Sequence, residues 1–232
     1  QAIIDLMLQA LGSKKSVNIS LLCRKWESNQ SAATKIIINP KFSNRTNKQS
    51  SFNDAIRHYL DKNHFDLIQS HERIEGCHIF RAGDGVHKVW LQQKAKISNT
   101  LQRWWLKKSP YHKALLLEEK RMFESPSLRK VICNSKMVQQ EILQNFSIPE
   151  DKVTVIYNGV DSEKFYPIDI EKKSTLRQEL SIPEHSLVFI FSGSGFERKN
   201  LRTTLHAFSQ LSFPCHLLIV GRDKSQKNYE KL

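Results

Sequence analysis

The sequence lacks the features that mark several broad classes of protein. No apolar run approaches the ~20 residues needed to cross a bilayer, and residues 1–11 show neither the basic region nor the apolar block of a secretory signal. Cysteine is scarce and no Cys-x-x-Cys pair occurs, so neither a disulfide framework nor a zinc site is indicated. The cysteines each lie in or beside an apolar run, as buried small side chains do: Cys23, Cys77, Cys133 and Cys215. These absences favour a reducing cytoplasm.

The chain is also poor in acidic residues, with 23 Asp and Glu against 36 Lys and Arg and a net charge of +13. Such an excess predicts an anionic partner, which could be nucleic acid, an acidic membrane surface or a phosphorylated ligand. Apolar residues are present in quantity, at 39% of the 232 residues. That is enough to build packed cores for one large domain or two small ones.

Short apolar runs alternate with helix-like stretches along most of the chain. Strands are predicted at residues 17–23, 36–38, 65–68, 77–81, 130–133, 153–156, 187–191 and 216–220. Helices are predicted at residues 1–11, 52–60, 86–107, 111–123, 136–146, 175–180 and 199–211, with Ser51 and Ser135 as N-caps. Because the strands are short and continuously apolar, the pattern predicts an α/β fold with parallel sheets covered by helices.

The composition changes after residue 161. Residues 162–186 are mostly polar, and we interpret them as a linker between an N-terminal α/β domain at 1–161 and the beginning of a second one at 187–232. The chain opens on a helix with no strand before it, and the two strands of the second domain make a poor sheet alone. We therefore expect pieces of both domains to lie outside the sequence.

Polar residues or glycines follow several of the predicted strands. These strand-end residues are His71, Asp84, Asn134, Asn158, Gly159 and Gly193. In open parallel sheets, ligands bind beyond the carboxyl ends of the strands. The concentration of polar residues at these ends therefore predicts an active cleft.

Residues 192–199 read SGSGFERK and follow an apolar strand. Gly193 and Gly195 supply two glycines of a dinucleotide-binding fingerprint, but Arg198 stands where the third is needed. No P-loop is present either, because the residue directly before Lys199 is Arg198 and not glycine. Two cations near a helix start suit a diphosphate that becomes a leaving group, since its negative charge grows as the bond breaks. The alternative is a surface turn followed by solvated basic residues.

Asp84 lies between two glycines at a strand end, just before a predicted helix. A carboxylate in this place could accept a proton or a hydrogen bond from a substrate hydroxyl. The alternative is that Asp84 only caps the helix that follows. His71 also has two interpretations, because a histidine in a loop can be catalytic or structural.

Residues 85–117 contain no acidic residue and hold seven Lys and Arg and three of the four tryptophans, Trp90, Trp104 and Trp105. On a helix, Ile97 and Leu101 share a face with Trp104 and Trp105. A basic amphipathic helix with tryptophan suits an anionic membrane surface. A helix that packs its apolar face on the core, or a nucleic-acid groove, are the alternatives. The tryptophan pair favours lipid over nucleic acid.

Three blocks of the sequence together resemble one family. They read VICNSKMVQQEILQNFSIPEDKVTVIYNGVDSEKFYP at 131–167, FIFSGSGFERKNLRTTLHAFSQL at 189–211, and FRAGDGVHKVWL at 80–91 followed by KALLLEEKRMFE at 113–124. The chain resembles the retaining glycosyltransferases of family four, and within them the branch that acts on the lipopolysaccharide core. The resemblance implies the GT-B fold, in which two Rossmann-like domains face a cleft.

The resemblance also implies roles for individual residues. Arg198 and Lys199 match the pair that binds the diphosphate of a nucleotide-sugar, and Gly193 matches the glycine that lets this diphosphate approach. Asp84 matches an acidic residue near the reacting centre, where many relatives carry histidine. The residues matched to the cleft lining are His71, Asn158, Gly159 and Val160. Those matched to a membrane contact are Trp90, Trp104, Trp105, Lys107 and Lys108.

The implied reaction moves a hexose from a UDP-sugar or GDP-sugar to a sugar hydroxyl of the lipopolysaccharide core or a related glycan, with retention of configuration. No metal or cofactor is expected. The implied partners are the donor, a glycolipid acceptor and an anionic membrane surface, with no nucleic acid. The implied location is cytoplasmic, on the inner face of the bacterial inner membrane.

The sequence departs from the family at both ends. The glycine-rich loop after the first strand and the late Glu-x7-Glu element are missing, so we expect a truncated chain with little transferase activity of its own. The alternative function is an inactive domain that binds membrane or nucleotide. RNA binding is a third class, which predicts strongly salt-dependent affinity for RNA.

Overall fold

A computed structural model describes residues 2–12, 17–27 and 33–230 of the chain. It divides into two compact units, Gln1–Gly159 and Val160–Leu232. The first unit therefore ends two residues before the predicted boundary at residue 161. Residues 162–186, predicted as a linker, belong to the second unit.

The first unit alternates helices and short parallel strands. Its helices are α1 (Ala2–Gly12), α2 (Arg45–Lys62), α3 (His87–Lys96), α4 (Thr100–Lys108), α5 (Pro110–Phe123) and α6 (Lys136–Asn145). Its strands are β1 (Ser20–Cys23), β2 (Thr34–Ile37), β3 (Gln69–Ser70), β4 (Ile79–Ala82), β5 (Lys130–Cys133) and β6 (Val153–Val155). Strand β1 pairs with β2, and β3, β4, β5 and β6 form a four-stranded sheet in that order. The predicted α/β pattern with parallel strands is confirmed.

The register of the four-stranded sheet aligns the strand ends. Ala82 pairs with Cys133, and Cys133 pairs with Val155. The residues that follow these strands therefore emerge along one edge of the sheet, where ligands bind in open parallel sheets.

Aromatic and aliphatic side chains pack the sheet of the first unit against its helices. Met122 and Val131 are fully buried. The ring of Phe123 meets Phe80 edge-on at 5.5 Å and stacks on Phe146 at 4.4 Å between centroids. Such pairs add about 0.5–1.5 kcal/mol beyond the area they bury.

Two of the cysteines belong to this core, as the sequence predicts for small apolar side chains. Cys77 and Cys133 are both buried. Burial raises the pKa of Cys77 to about 12 and that of Cys133 to about 11, so both thiols stay neutral. Cys23 and Cys215 are half-buried, and all four cysteines are free.

The predicted single helix at 86–107 is wrong. Helix α3 ends at Lys96 and α4 begins at Thr100, because Asn99 and Gln102 form a reciprocal cap at the start of α4. The N–H of Gln102 donates to Asn99 Oδ1 at 2.9 Å, and the N–H of Asn99 donates to Gln102 Oε1 at 3.2 Å.

The predicted N-cap residues and the predicted strand at 65–68 can also be compared with the structure. Ser135 caps α6 as predicted, since its hydroxyl accepts from the N–H of Val138 at 3.3 Å. The predicted cap at Ser51 is wrong, because α2 begins earlier, at a cap formed by Asn44. The predicted strand at 65–68 is also displaced, to β3 at Gln69–Ser70.

The second unit has the same alternation on a smaller scale. It holds α7 (Ile170–Glu179), β7 (Leu187–Ser192), α8 (Leu201–Ser209), β8 (Cys215–Val220) and α9 (Gln226–Tyr229). Strands β7 and β8 are parallel and pair over six residues, from Leu187 with Cys215 to Ser192 with Val220. Within the described residues of both units, no helix has the length and apolar composition of a membrane span.

Replacing Met122 with Ala is expected to lower the free energy of unfolding by about 2–5 kcal/mol, because a fully buried side chain leaves a cavity. Urea denaturation followed by tryptophan fluorescence measures the change. Met137, on α6, is 63% exposed and provides the matched control. If Met122→Ala and Met137→Ala have equal effects, the assigned core is wrong.

Candidate active site

A cavity of about 250 Å³ lies at the carboxyl ends of the strands of the four-stranded sheet. It brings together four of the strand-end residues that the sequence singles out, His71, Asp84, Asn134 and Asn158. Gly159 is exposed and outside the lining, and Val160 is exposed at the start of the second unit.

Two carboxylates hold the backbone directly after Asp84. The N–H of Val86 donates to Glu141 Oε2 at 2.9 Å. The N–H of His87 donates to both carboxylate oxygens of Glu119, at 3.0 and 3.1 Å. These donors are among the N–H groups that a helix leaves unpaired at its first turn, and a negative charge there also complements the helix dipole.

Asp84 itself does not cap α3, so the capping interpretation is wrong. The N-cap residue is Val86, which makes no side-chain cap bond. Asp84 is exposed and takes part in no hydrogen bond or ion pair with any described residue. Its loop is nevertheless closely packed, since a Cβ on Gly85 would lie 2.7 Å from Glu141 Oε2. The loop therefore presents a free carboxylate to the cavity.

Glu119 is the most deeply buried charged group at this site, with its side chain 2% exposed. Arg73 Nε donates to its Oε1 at 3.0 Å. The neighbouring Glu118 accepts from the side chain of Asn53 at 3.0 Å, and the same amide group donates to the carbonyl of Arg73 at 3.0 Å. A buried carboxylate is costly unless it is paired and hydrogen-bonded, and both conditions are met for Glu119.

The sequence analysis did not identify this pair of glutamates. Their signal was present, because two adjacent acids interrupt the apolar face of a helix that reads KALLLEEKRMFE. Acidic residues in that position are almost never buried unless they are paired. The partner Arg73 lies one strand and two helices away along the chain, which no local pattern reveals.

Arg81 and His71 complete the polar lining. Arg81 Nη2 donates to Asn158 Oδ1 at 2.5 Å. The side-chain nitrogen of Gln69, which can only donate, lies 3.2 Å from His71 Nε2 and so directs the proton of the neutral ring to Nδ1. Burial, and then the positive charge of Arg81, lower the pKa of His71. His71 is therefore a neutral hydrogen-bonding group near neutral pH.

In the second unit, the turn after β7 contains the basic pair that the sequence predicts. Helix α8 begins at Leu201 rather than at the predicted residue 199, so Arg198 and Lys199 lie in the turn before it. Gly193 has a φ of 130°, and a Cβ there would lie 1.9 Å from Lys199 Nζ. The ammonium group of Lys199 lies over this glycine and donates to the carbonyl of Ser192 at 2.8 Å. Only glycine permits both the backbone conformation and the close approach.

Asp223, after β8, holds the same turn in place. Its Oδ2 accepts from the N–H of Phe196 at 2.9 Å, and its Oδ1 accepts from the N–H of Ser225 at 2.8 Å. Hydrogen bonds, first that from the Ser225 hydroxyl, lower the pKa of Asp223. The backbones of the two strand ends also touch, since a Cβ on Gly221 would lie 2.4 Å from the carbonyl oxygen of Gly193. The sequence analysis did not assign Asp223 a role.

The predicted membrane-contact residues divide between two helices. Trp104 and Trp105 lie on α4 with ring centroids 5.2 Å apart, and they are 52% and 62% exposed. Lys107 and Lys108 are exposed at the end of the same helix. Trp90 lies on α3 and stacks on His87 at 5.5 Å. No residue of α4 is buried, so the alternative of a core-facing helix is not supported.

His87 packs between Trp90 and His112. Its Nε2 lies 3.1 Å from His112 Nδ1. Burial, and then His112, lower the pKa of His87 to about 4, so His87 is neutral near neutral pH. Among the described residues, no group of three or more His, Cys, Asp or Glu side chains could hold a metal ion. Independence from metal remains a prediction.

Replacing Glu119 with Ala is expected to lower the free energy of unfolding by about 2–4 kcal/mol, because Arg73 and the N–H of His87 lose a buried partner. Chemical denaturation measures the loss. The control is Glu124→Ala at the C-cap of α5, which removes only an exposed pair with Lys120 at 3.9 Å and is expected to cost at most about 0.5 kcal/mol. Equal effects of the two variants would show that Glu119 does not anchor the loop.

Comparison with known proteins gives matches to a family model, to a protein sequence and to a solved structure. A model of the family described as Glycosyltransferase Family 4 matches residues 6–164. An uncharacterised glycosyltransferase of Methanocaldococcus jannaschii, MJ1607, is 29% identical over 83 residues, which are 35% of this chain and 21% of that protein. A crystal structure of WaaG, a glycosyltransferase involved in lipopolysaccharide biosynthesis, matches with a TM-score of 0.80 and 16% identity, over 98% of this chain and 61% of that one.

The structural match confirms the predicted α/β fold of the GT-B type. The chain spans less than two thirds of the length of either protein. The family model covers well over half of the 232 residues and confirms the resemblance read from the sequence. This chain therefore belongs to glycosyltransferase family 4.

Proposed function

We propose that this chain is part of a retaining hexosyltransferase that binds a nucleotide-sugar in its second unit and an acceptor sugar in its first. The observation that supports it most is the turn after β7. There a glycine with positive φ leaves room under the ammonium of Lys199, and Arg198 stands exposed beside it. A diphosphate would meet two cations at one place.

The chemistry of the transfer assigns a role to each of these groups. The bond from the sugar C1 to the diphosphate breaks, and a bond from C1 to the acceptor oxygen forms on the same face. Negative charge grows on the departing diphosphate, where Arg198 and Lys199 stabilise it. Two fixed cations can neutralise the charge of the leaving diphosphate, which is the role that a metal ion has in other transferases. UDP-sugars and GDP-sugars are the proposed donors.

Asp84 is proposed to act on the acceptor. Its free carboxylate would accept a hydrogen bond from the attacking hydroxyl, orient it and take up its proton as the new bond to C1 forms. Glu119 and Glu141 hold the loop that bears Asp84, so the carboxylate has a defined position without contacts of its own. The proposed acceptor is a sugar hydroxyl of the lipopolysaccharide core or a related glycan.

Isothermal titration with UDP and with GDP tests the donor site. Arg198→Ala and Lys199→Ala are each expected to weaken binding by about 10- to 100-fold, because a charge-assisted hydrogen bond contributes about 1.5–3 kcal/mol. The matched control is Arg202→Ala, which removes an exposed arginine on α8 and should leave the affinity unchanged.

Unchanged affinity in both turn variants would contradict the proposed donor site. If the unsubstituted chain binds neither nucleotide but still binds anionic vesicles, the alternative of a membrane-binding module replaces the transferase. Preferential, salt-dependent binding of RNA would favour the third class of function.

We also propose that α4 contacts an anionic membrane surface, on the inner face of the bacterial inner membrane, where a glycolipid acceptor would be available. The exposure of its apolar side chains is the supporting observation. Leu101, on the same helix as the tryptophan pair, is 66% exposed, and Ile97, the C-cap residue of α3, is 81% exposed. An apolar, tryptophan-bearing face with lysines at its edge suits the lipid interface.

Vesicle cosedimentation tests the membrane contact. Replacing Lys107 and Lys108 together with Gln is expected to weaken binding to anionic vesicles by about 30-fold, because each basic residue near the surface contributes about 1 kcal/mol. The control replaces Lys172 and Lys173, an exposed lysine pair on α7, with Gln. Equal losses in the two double variants would mean that only total charge matters and that α4 is not the contact.

A further inference from the structure

Two charged side chains in the lining of the first unit's cavity lack a partner of opposite charge. The charged residues of the lining are Arg73, Arg81, Asp84 and Glu119. Arg73 and Glu119 neutralise each other, since Nε and Oε1 lie 3.0 Å apart. Neither Arg81 nor Asp84 forms an ion pair with any described residue. A ligand in the cavity therefore meets a free positive charge and a free negative charge.

Arg81 is held in place without losing its capacity to bind a ligand. It lies in β4, and its side chain is half-buried. Its Nη2 donates to Asn158 Oδ1, which is a neutral acceptor. A guanidinium carries several N–H donors in a rigid fork, so most of them remain for a ligand. Two of these donors can bind an oxyanion side by side, the geometry in which arginine binds phosphate and carboxylate groups.

The electrostatics of the cavity agree with a free positive charge at Arg81. Burial, and then the charge of Arg81, lower the pKa of His71, which also lines the cavity. His71 is neutral near neutral pH and so adds no second positive charge. Among the described residues of the lining, Arg81 is therefore the group that would attract an anionic part of a ligand.

The loop that follows β4 brings Asp84 to the same side of the cavity as Arg81. Nη1 of Arg81 lies near Gly83, since a Cβ built there would be 3.9 Å from it. The side-chain nitrogen of Asn134 donates to the carbonyl of Gly83 at 2.7 Å and constrains this segment further. The guanidinium and the carboxylate thus border the cavity at neighbouring positions on a constrained backbone.

The size of the cavity limits what it can hold. At about 250 Å³ it is smaller than the ~300–1,000 Å³ typical of pockets for drug-sized ligands, so it suits a single ring. A carboxylate accepts hydrogen bonds from hydroxyl groups, and a guanidinium donates to oxyanions. A sugar that carries both groups matches the two free charges, whereas a sugar without an acidic group leaves Arg81 unused.

We propose that this cavity binds an acidic sugar, in which a phosphate or carboxylate group contacts Arg81 and a hydroxyl group contacts Asp84. This proposal rests on the proposed function only in treating the cavity as the acceptor site. It narrows the acceptor class, because the ring that receives the transferred hexose carries the acidic group itself. Arg81 orients that ring so that its hydroxyl group meets Asp84.

Saturation-transfer NMR titrations of the full chain, near neutral pH and at low salt, test this selectivity. The probes are methyl α-glucopyranoside, its 6-phosphate and methyl α-glucuronide. Each of the two acidic glycosides is expected to bind about tenfold more tightly than the neutral one, because hydrogen bonds between a guanidinium and an oxyanion are charge-assisted.

Arg81→Gln provides the decisive comparison, because it removes the charge and keeps an amide that can donate. The ratio between acidic and neutral probes is expected to fall towards one. The matched control is Arg129→Gln, which removes the same charge from an exposed residue directly before β5, at the opposite end of the strands from the cavity. The control should leave the ratio unchanged, and circular dichroism checks that each variant is folded.

Competition identifies the source of the bound anion. Inorganic phosphate or UDP is added to the complex with the 6-phosphate at equal concentration, and neither is expected to displace it. Displacement by UDP would assign Arg81 to the diphosphate of the donor. Displacement by inorganic phosphate would mean that the sugar ring is not recognised. Either result would contradict the proposal.

Three further outcomes would overturn it: acidic probes that bind no better than the neutral one, no binding of any glycoside, or an unchanged ratio in Arg81→Gln. Direct titration with UDP separates these results from failure of the proposed function. UDP binding without any preference for acidic glycosides would contradict the acidic-sugar proposal alone. The expected preference without UDP binding would contradict the donor site alone.

Discussion

The buried carboxylate of Glu119 joins three elements of the first unit. It accepts from the backbone N–H of His87 at the start of α3 and from Arg73 after β3, while its own helix, α5, packs on the sheet. Removing a carboxylate from water is costly, and the donors offset that cost only while they stay in place. The loop before α3, and with it the position of Asp84, therefore depends on Glu119 together with Glu141, which accepts from the N–H one residue earlier.

In the second unit, the carboxylate of Asp223 likewise holds a backbone segment in place. Asp223 accepts from the backbone of the turn at Phe196, and that turn carries Arg198 and Lys199. In each unit, a carboxylate with hydrogen-bonding partners holds the backbone, and a different, exposed charge is left available for ligand. Asp84 is free in the first unit, and the basic pair is exposed in the second. The charges that hold the backbone and the charges proposed to bind ligand are thus separate groups, so the proposed binding residues can be substituted without loss of the fold.

Much of the fold could be predicted from sequence because its signals are local. The apolar run at β5 and the cap at Ser135 lie within a few residues of each other, and both are confirmed. Parallel topology then predicts that polar residues at strand ends converge, which is why Asp84, His71 and Asn158 were found together. The break between α3 and α4 is local as well, since Asn99 and Gln102 have capping-box spacing, but the continuous basic stretch obscured it.

The supporting residues could not be found in this way, because their roles depend on contacts distant in sequence. Glu119 binds Arg73 across 46 positions, and Asp223 binds Phe196 across 27. A buried acid in a helix signals that some partner exists, but only the folded chain shows which one. The same holds for Asp84, whose sequence context fits a helix cap equally well until Glu119 and Glu141 are seen to bind the N–H groups instead.

The central claim is that the turn after β7 binds the diphosphate of a nucleotide-sugar. Amide chemical shifts of the ¹⁵N-labelled chain during titration with UDP test it most directly, because each backbone position reports separately. The account predicts that the largest changes fall on residues 193–199. Changes confined to the first unit, or none at saturating UDP, would contradict it.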